Sequence, residues 1–124
     1  MKTKLMSKIL DPSECPDWVQ YPKLFLELFE TEQYVFLPWY LLDETKTIII
    51  RYEGLKNHYP RRKLFPFARR DDNDDIACWE KDKPGVVQII HDFASPGWEQ
   101  RQTFDSFEEW YQFALSEKCD EEDE

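Results

Sequence analysis

The apolar residues of this chain change period twice, and that switch limits the folds open to it. Tyr21, Leu24, Phe25, Leu28 and Phe29 fall at i, i+3, i+4, i+7 and i+8, the stripe of a helix buried on one face. Pro22 suits the first turn of that helix, where its missing N–H would have no partner anyway. The same spacing returns in Phe107, Trp110, Tyr111, Ala114 and Leu115, and Ser106 with Glu109 supplies a capping-box start. After Pro60, short β-prone runs take over at residues 64–68, 76–80, 86–93 and 100–104. Asp71-Asp72-Asn73-Asp74 and Lys81-Asp82-Lys83-Pro84-Gly85 are turn material between them, short enough to join antiparallel neighbours. Between Leu37 and Tyr59 two periods compete: Thr47 to Ile50 is β-prone, while Ile48, Tyr52, Leu55 and Tyr59 share one helical face, and the helix is preferred. Helices, then strands, then one helix predict an α+β fold, an antiparallel β-meander flanked by N-terminal helices and a C-terminal helix.

A chain of 124 residues supports one domain, placed here at residues 1–119. With 9 Phe, 6 Tyr and 5 Trp it has the apolar bulk to build a core even though 34% of its residues are charged. The net charge of −10 argues against nucleic acid or anionic lipid as a general partner and favours a basic protein. Half of that charge lies in Asp120-Glu121-Glu122-Asp123-Glu124, which is expected to be a frayed acidic tail over residues 120–124.

Glycine and cysteine exclude more. Gly54, Gly85 and Gly97 stand too far apart for a phosphate-cradling loop or dinucleotide fingerprint, so no cofactor is implied. Cys15, Cys78 and Cys119 form no C-x-x-C pair and suit a reducing cytoplasm better than a disulfide scaffold. The basic start is broken by Lys8 and Asp11-Pro12 before it reaches signal-peptide length, and no run approaches the ~20 apolar residues of a membrane span.

Two constellations invite chemistry. His91-Asp92 ends an apolar run, but neighbours in a strand point to opposite faces, so Asp92 would not orient His91, and no G-x-S-x-G supplies a nucleophile. The pair is therefore expected to be a polar strand end that meets solvent, and no catalytic residue is assigned. Asp71, Asn73 and Asp75 have the alternate spacing of the first ligands of a calcium loop. The sixth position is Ile76 where glycine is needed, and the twelfth is Asp82 instead of a bidentate Glu, so no metal is assigned. What remains is an interaction patch: Asp71, Asp72, Asp74 and Asp75 would attract Lys and Arg of a partner. Tyr40 and Trp98, in loop-like settings beside Pro38-Trp39 and Pro96-Gly97, would serve as anchors, since Tyr and Trp are enriched in binding hot spots.

The order of several short pieces resembles the SUKH superfamily, which contains fungal cell-wall assembly regulators and many bacterial immunity proteins. They are Leu64-Phe65-Pro66-Phe67-Ala68, an acidic turn ending in Asp74-Asp75, the strand Ile76-Ala77-Cys78-Trp79, the run 86–92, and Phe104-Asp105-Ser106-Phe107-Glu108-Glu109-Trp110. Tyr21-Pro22 with its helix and Pro38-Trp39 are compatible with the N-terminal helices of that family. The turn after Ala68 lacks the glycine often found in relatives, and the first helix runs into Glu30-Thr31-Glu32 in place of Asn-Gly. The resemblance implies a sheet flanked by helices, no catalytic residues, and neutralisation of a toxin inside the producing cell. Many such toxins are nucleases or deaminases with basic clefts, which an acidic protein could occlude. The alternative implied by the fungal relatives is a regulatory scaffold that recruits cellular proteins.

Overall fold

The computed structural model describes residues 15–117. The expectations for the basic start, for Cys119 and for the acidic tail at 120–124 lie outside the described residues.

Helix α1 (Lys23–Glu30) buries Phe25, Leu28 and Phe29. Pro22 is its N-cap, in extended conformation, one position earlier than expected. The chain leaves α1 through Glu32, whose φ of 58° lies in the left-handed region, and enters a short hairpin of β1 (Val35–Phe36) and β2 (Trp39–Leu41). Helix α2 (Thr45–His58) follows, so the helical face of Ile48 and Leu55 prevails over the β-branched run, and both side chains are buried. Strands β3 (Leu64–Arg70), β4 (Asp75–Glu80), β5 (Lys83–His91) and β6 (Gln100–Phe104) come next, and α3 (Phe107–Ser116) closes the described chain. Ser106 caps α3 by accepting the Glu109 N–H at 3.1 Å; Glu109 Oε1 returns to the Asp105 N–H, not to that of Ser106.

All six strands form one antiparallel sheet in the order β1-β2-β3-β4-β5-β6, a meander, and the fold is α+β as expected. Strand β5 begins three residues earlier and ends two earlier than its apolar run, because Glu80 pairs with Lys83 and only Lys81-Asp82 remains as the turn. Asp82, at φ 73°, takes the left-handed conformation such a tight turn demands.

Alternate residues of the strands divide between two cores. Ala77, Trp79, Val87 and Ile89 join Phe25 and Phe29 of α1 and Phe107, Trp110 and Ala114 of α3. Ile76, Cys78 and Ile90, one residue out of step, join Leu64 with Leu55 of α2 and Tyr59 just beyond it. The larger core is built on aromatic edges: the Phe67 ring stacks on Trp79 at 4.2 Å and meets Trp110 edge-on at 5.1 Å. Burying side chains of this size contributes on the order of 1.5–3 kcal/mol each, which makes α3 a structural necessity for the face it covers.

Candidate partner-binding surface

Three chain reversals meet at one end of the sheet. The Asp71 N–H donates to Pro38 O at 2.6 Å, which ties the β3–β4 turn to the tip of the first hairpin. The Asp92 N–H donates to Asp74 O at 3.0 Å, tying the same turn to the loop between β5 and β6. Asp71, Asp72, Asn73 and Asp74 are all exposed there, as a solvated turn should be. Asn73 Oδ1 accepts the Asp75 N–H at 2.8 Å, a local side-chain turn that fixes the reversal without glycine.

The four carboxylates differ in what they do. Asp72 grips Arg70 with both oxygens, at 2.8 and 3.0 Å. That hydrogen-bonded pair holds the Asp72 carboxyl below its ordinary value and raises the Arg70 guanidinium above its own. Arg70 extends to Glu117 Oε1 at 2.7 Å and lies 5.5 Å from the Trp39 ring centroid. Asp74 stands 4.0 Å from Arg69, whose Nε is buried without a hydrogen-bond partner. Asp75 is half-buried and bonds His91 Nδ1 at 2.9 Å across the β4–β5 ladder, with Arg101 at 3.7 Å. Only Asp71 makes no ion pair with a described residue. The patch, which Arg69 and Arg70 were expected to neutralise in part, is thus mostly compensated from within, and Asp75 belongs to the structure of the sheet. The calcium spacing is likewise absorbed: Asn73 holds the turn, Asp75 holds His91, and Ile76 is buried in β4.

His91 and Asp92 do point apart, but Asp92 does not meet solvent as expected. It is 4% exposed, and its Oδ1 lies 3.3 Å from His58 Nδ1 and accepts the Phe93 N–H at 3.0 Å. Arg51 approaches its other oxygen at 3.8 Å. A buried carboxylate needs such partners, and α2 supplies two of them from 34 or more residues upstream.

The anchors separate as well. Trp98 is 80% exposed on the β5–β6 loop. Trp39 is buried in β2 against Trp110, so its setting is a strand and not a loop. Tyr40 is half-buried in the same strand, opposite Val35 and Arg69, one ladder position inside the sheet end. Phe93, read from the sequence as the last residue of the β-prone run 86–93, lies past β5 with 65% of its surface exposed and a φ of 72°. Its ring packs edge-on against His58 at 5.2 Å. The only sequence signal for this is its place directly after a charged pair that ends an apolar run.

Behind the loop, Arg62 organises a polar cluster on the face of the smaller core. It bonds both oxygens of Glu80, at 2.9 and 3.1 Å, and Glu99 Oε2 at 3.0 Å. Burial alone would raise both glutamates; the bonds from Arg62, joined at Glu99 by backbone N–H groups including that of Gly97, hold them below their ordinary values. Among the described residues, no group of three or more His, Cys, Asp or Glu is placed to hold a metal ion, and no helix is long and apolar enough to cross a membrane.

Comparison of the chain with protein-family models, with curated proteins and with solved structures finds no match. The geometry of the sheet end therefore carries the functional argument. It offers an exposed indole, an exposed phenyl ring and a carboxylate with no ion pair among the described residues, on loops cross-tied by backbone hydrogen bonds, an arrangement suited to gripping another protein.

Proposed function

We propose that this chain is a non-enzymatic, cytoplasmic protein-binding domain that resembles the SUKH immunity proteins and neutralises a bacterial toxin by covering its active site or the surface beside it. The observation that carries this reading is Trp98, 80% exposed on a loop anchored beside the acidic turn. An indole left in water by a protein that buries Trp39, Trp79 and Trp110 is a candidate hot spot. Asp71, and to a lesser degree Asp72 and Asp74, would steer a basic partner such as a nuclease or deaminase.

No chemical step is assigned to the two histidines. Each Nδ1 is bonded to a carboxylate, and both pairs tie secondary-structure elements together: His91 to Asp75 between β5 and β4, and His58 to Asp92 between α2 and the end of β5.

The test is capture of the partner from the cytoplasm of the native cell, followed by measurement of the association rate at low and high salt with wild type and Trp98→Ala. The expected result is a basic partner whose activity is blocked on binding, with association slowed by salt and the complex weakened at least tenfold by Trp98→Ala. A partner that stays active in the complex, or that binds Trp98→Ala as tightly as wild type, would overturn the proposal.

A further inference from the structure

We infer that Phe93 is a second anchor of this surface, held outward by the buried carboxylate of Asp92 so as to enter an apolar slot between basic side chains of the partner protein. The inference rests on the proposed role of the sheet end as a partner-binding surface, and it adds the residue and the mechanism that shape it.

Of the nine phenylalanines, Phe93 alone is exposed. It also occupies the left-handed backbone region, at φ 72°, where Cβ crowds the next carbonyl and bulky side chains are seldom found. An unfavourable backbone that places an apolar ring in water gains nothing for the folded protein by itself. Such outliers persist where the surroundings over-determine them, and they cluster at ligand clamps.

The surroundings do over-determine this one. Asp92 Oδ1 accepts the Phe93 N–H at 3.0 Å while Asp92 is itself fixed by His58, by Arg51 and by its own N–H to Asp74 O. Two residues of chain further on, the Tyr59 hydroxyl donates to Ala94 O at 2.8 Å and stands 3.2 Å from His91 O, clamping the loop from both sides of Phe93. The ring is thus presented before any partner arrives, and the entropy of ordering it is not lost on binding. Because Asp92 also ties this loop to the acidic turn through Asp74 O, Phe93 and Asp71 lie at the same end of the sheet. The complementary chemistry is an apolar slot with a Lys or Arg rim.

The probe is a random peptide-display library selected on the intact chain, with the enriched peptides then synthesised and titrated against variants. Peptides carrying Lys or Arg beside apolar residues are expected, and Phe93→Ala should weaken them at least tenfold. Peptides that lose affinity on Asp71→Asn and Trp98→Ala but not on Phe93→Ala would leave the surface standing and remove the anchor. Loss on Phe93→Ala alone would keep the anchor and remove the basic-partner reading of the surface. A selection that enriches no peptide for this end of the sheet would overturn the inference.

Melting temperatures test the backbone half separately. Phe93→Gly should melt at or above Phe93→Ala, since glycine adopts positive φ freely and alanine does not. The reverse order, usual for a surface residue with ordinary φ, would show that Phe93 is not held in this conformation and would overturn the inference.

Discussion

The indole N–H of Trp39 donates a 2.9 Å hydrogen bond to Glu117 Oε1, joining residues 78 apart in the chain. Arg70 Nη1 reaches the same oxygen at 2.7 Å, so the first hairpin and the end of β3 share one acceptor on the residue after α3. Truncation by Glu117→Ala leaves a buried indole N–H unpaired and should cost about 1–3 kcal/mol, whereas Glu117→Gln keeps an acceptor and should lose less. Urea denaturation midpoints measure both; equal midpoints for the two variants would show that the shared oxygen does not matter.

Trp110 is fully buried where Trp39, Phe67 and Phe107 converge. Removing it as Trp110→Ala should cost on the order of 3–5 kcal/mol. Its indole Nε1 has no hydrogen-bond partner, so Trp110→Phe should lose much less, having only volume and no bond to give up. The ratio of the two losses, read from equilibrium unfolding, checks the placement.

Arg62 should make stability depend on acid in a defined direction. Glu80 and Glu99 are held below their ordinary value of 4.5, so their contribution is fully present above that pH and is lost as pH falls through their lower folded values. In Arg62→Met the same carboxylates lose the cation that helps to hold them down, and both shift upward. The variant should be less stable by about 3 kcal/mol at pH 7, and that deficit should shrink as the pH is lowered past 4.5. Unfolding free energies at several pH values give the result directly; a deficit that stays constant would contradict the assignment.

Asp71 and Asp72 should behave differently despite being adjacent. Asp71→Asn is expected to leave stability within about 0.5 kcal/mol of wild type while slowing association with a basic partner and flattening its salt dependence. Asp72→Asn frees Arg70 from a two-point grip and so disturbs its link to Glu117, with a loss of stability that vanishes as the pH is lowered through the depressed Asp72 value. Substituting both together, as a simple charge-patch experiment would, mixes steering with structure.

The two apolar stripes and the long strands were legible because each repeats its period often enough to exclude the other. The β1–β2 hairpin was not: two- and three-residue strands on either side of Leu37-Pro38 are too short to show an alternation. The acidic turn was legible as a turn, through its Asp and Asn content, but its compensation by Arg69, Arg70 and His91 was only half visible. Sequence adjacency revealed the arginines and concealed the histidine, 16 residues from Asp75. Asp92 was misplaced for the same reason, since what permits its burial sits on α2. The loop setting of Trp98 followed from the Pro96-Gly97 turn but its exposure did not, and Phe93 depended on a single backbone angle that composition does not encode.

Strict meander order has a kinetic consequence. Every strand pairs with its neighbour in the chain, so β3, β4, β5 and β6 can register hairpin by hairpin, while the β2–β3 pair must first close the 22-residue connection that carries α2. The helices do not share that locality: α3 must return to Phe25 on α1 and to Trp39 on β2, both encoded far upstream. Docking α3 therefore closes longer loops than pairing β3 to β6 does, and in any interval in which those strands are paired and α3 is not docked the sheet would carry an uncovered aromatic face. That interval, more than the native state, is when this protein would be prone to aggregate.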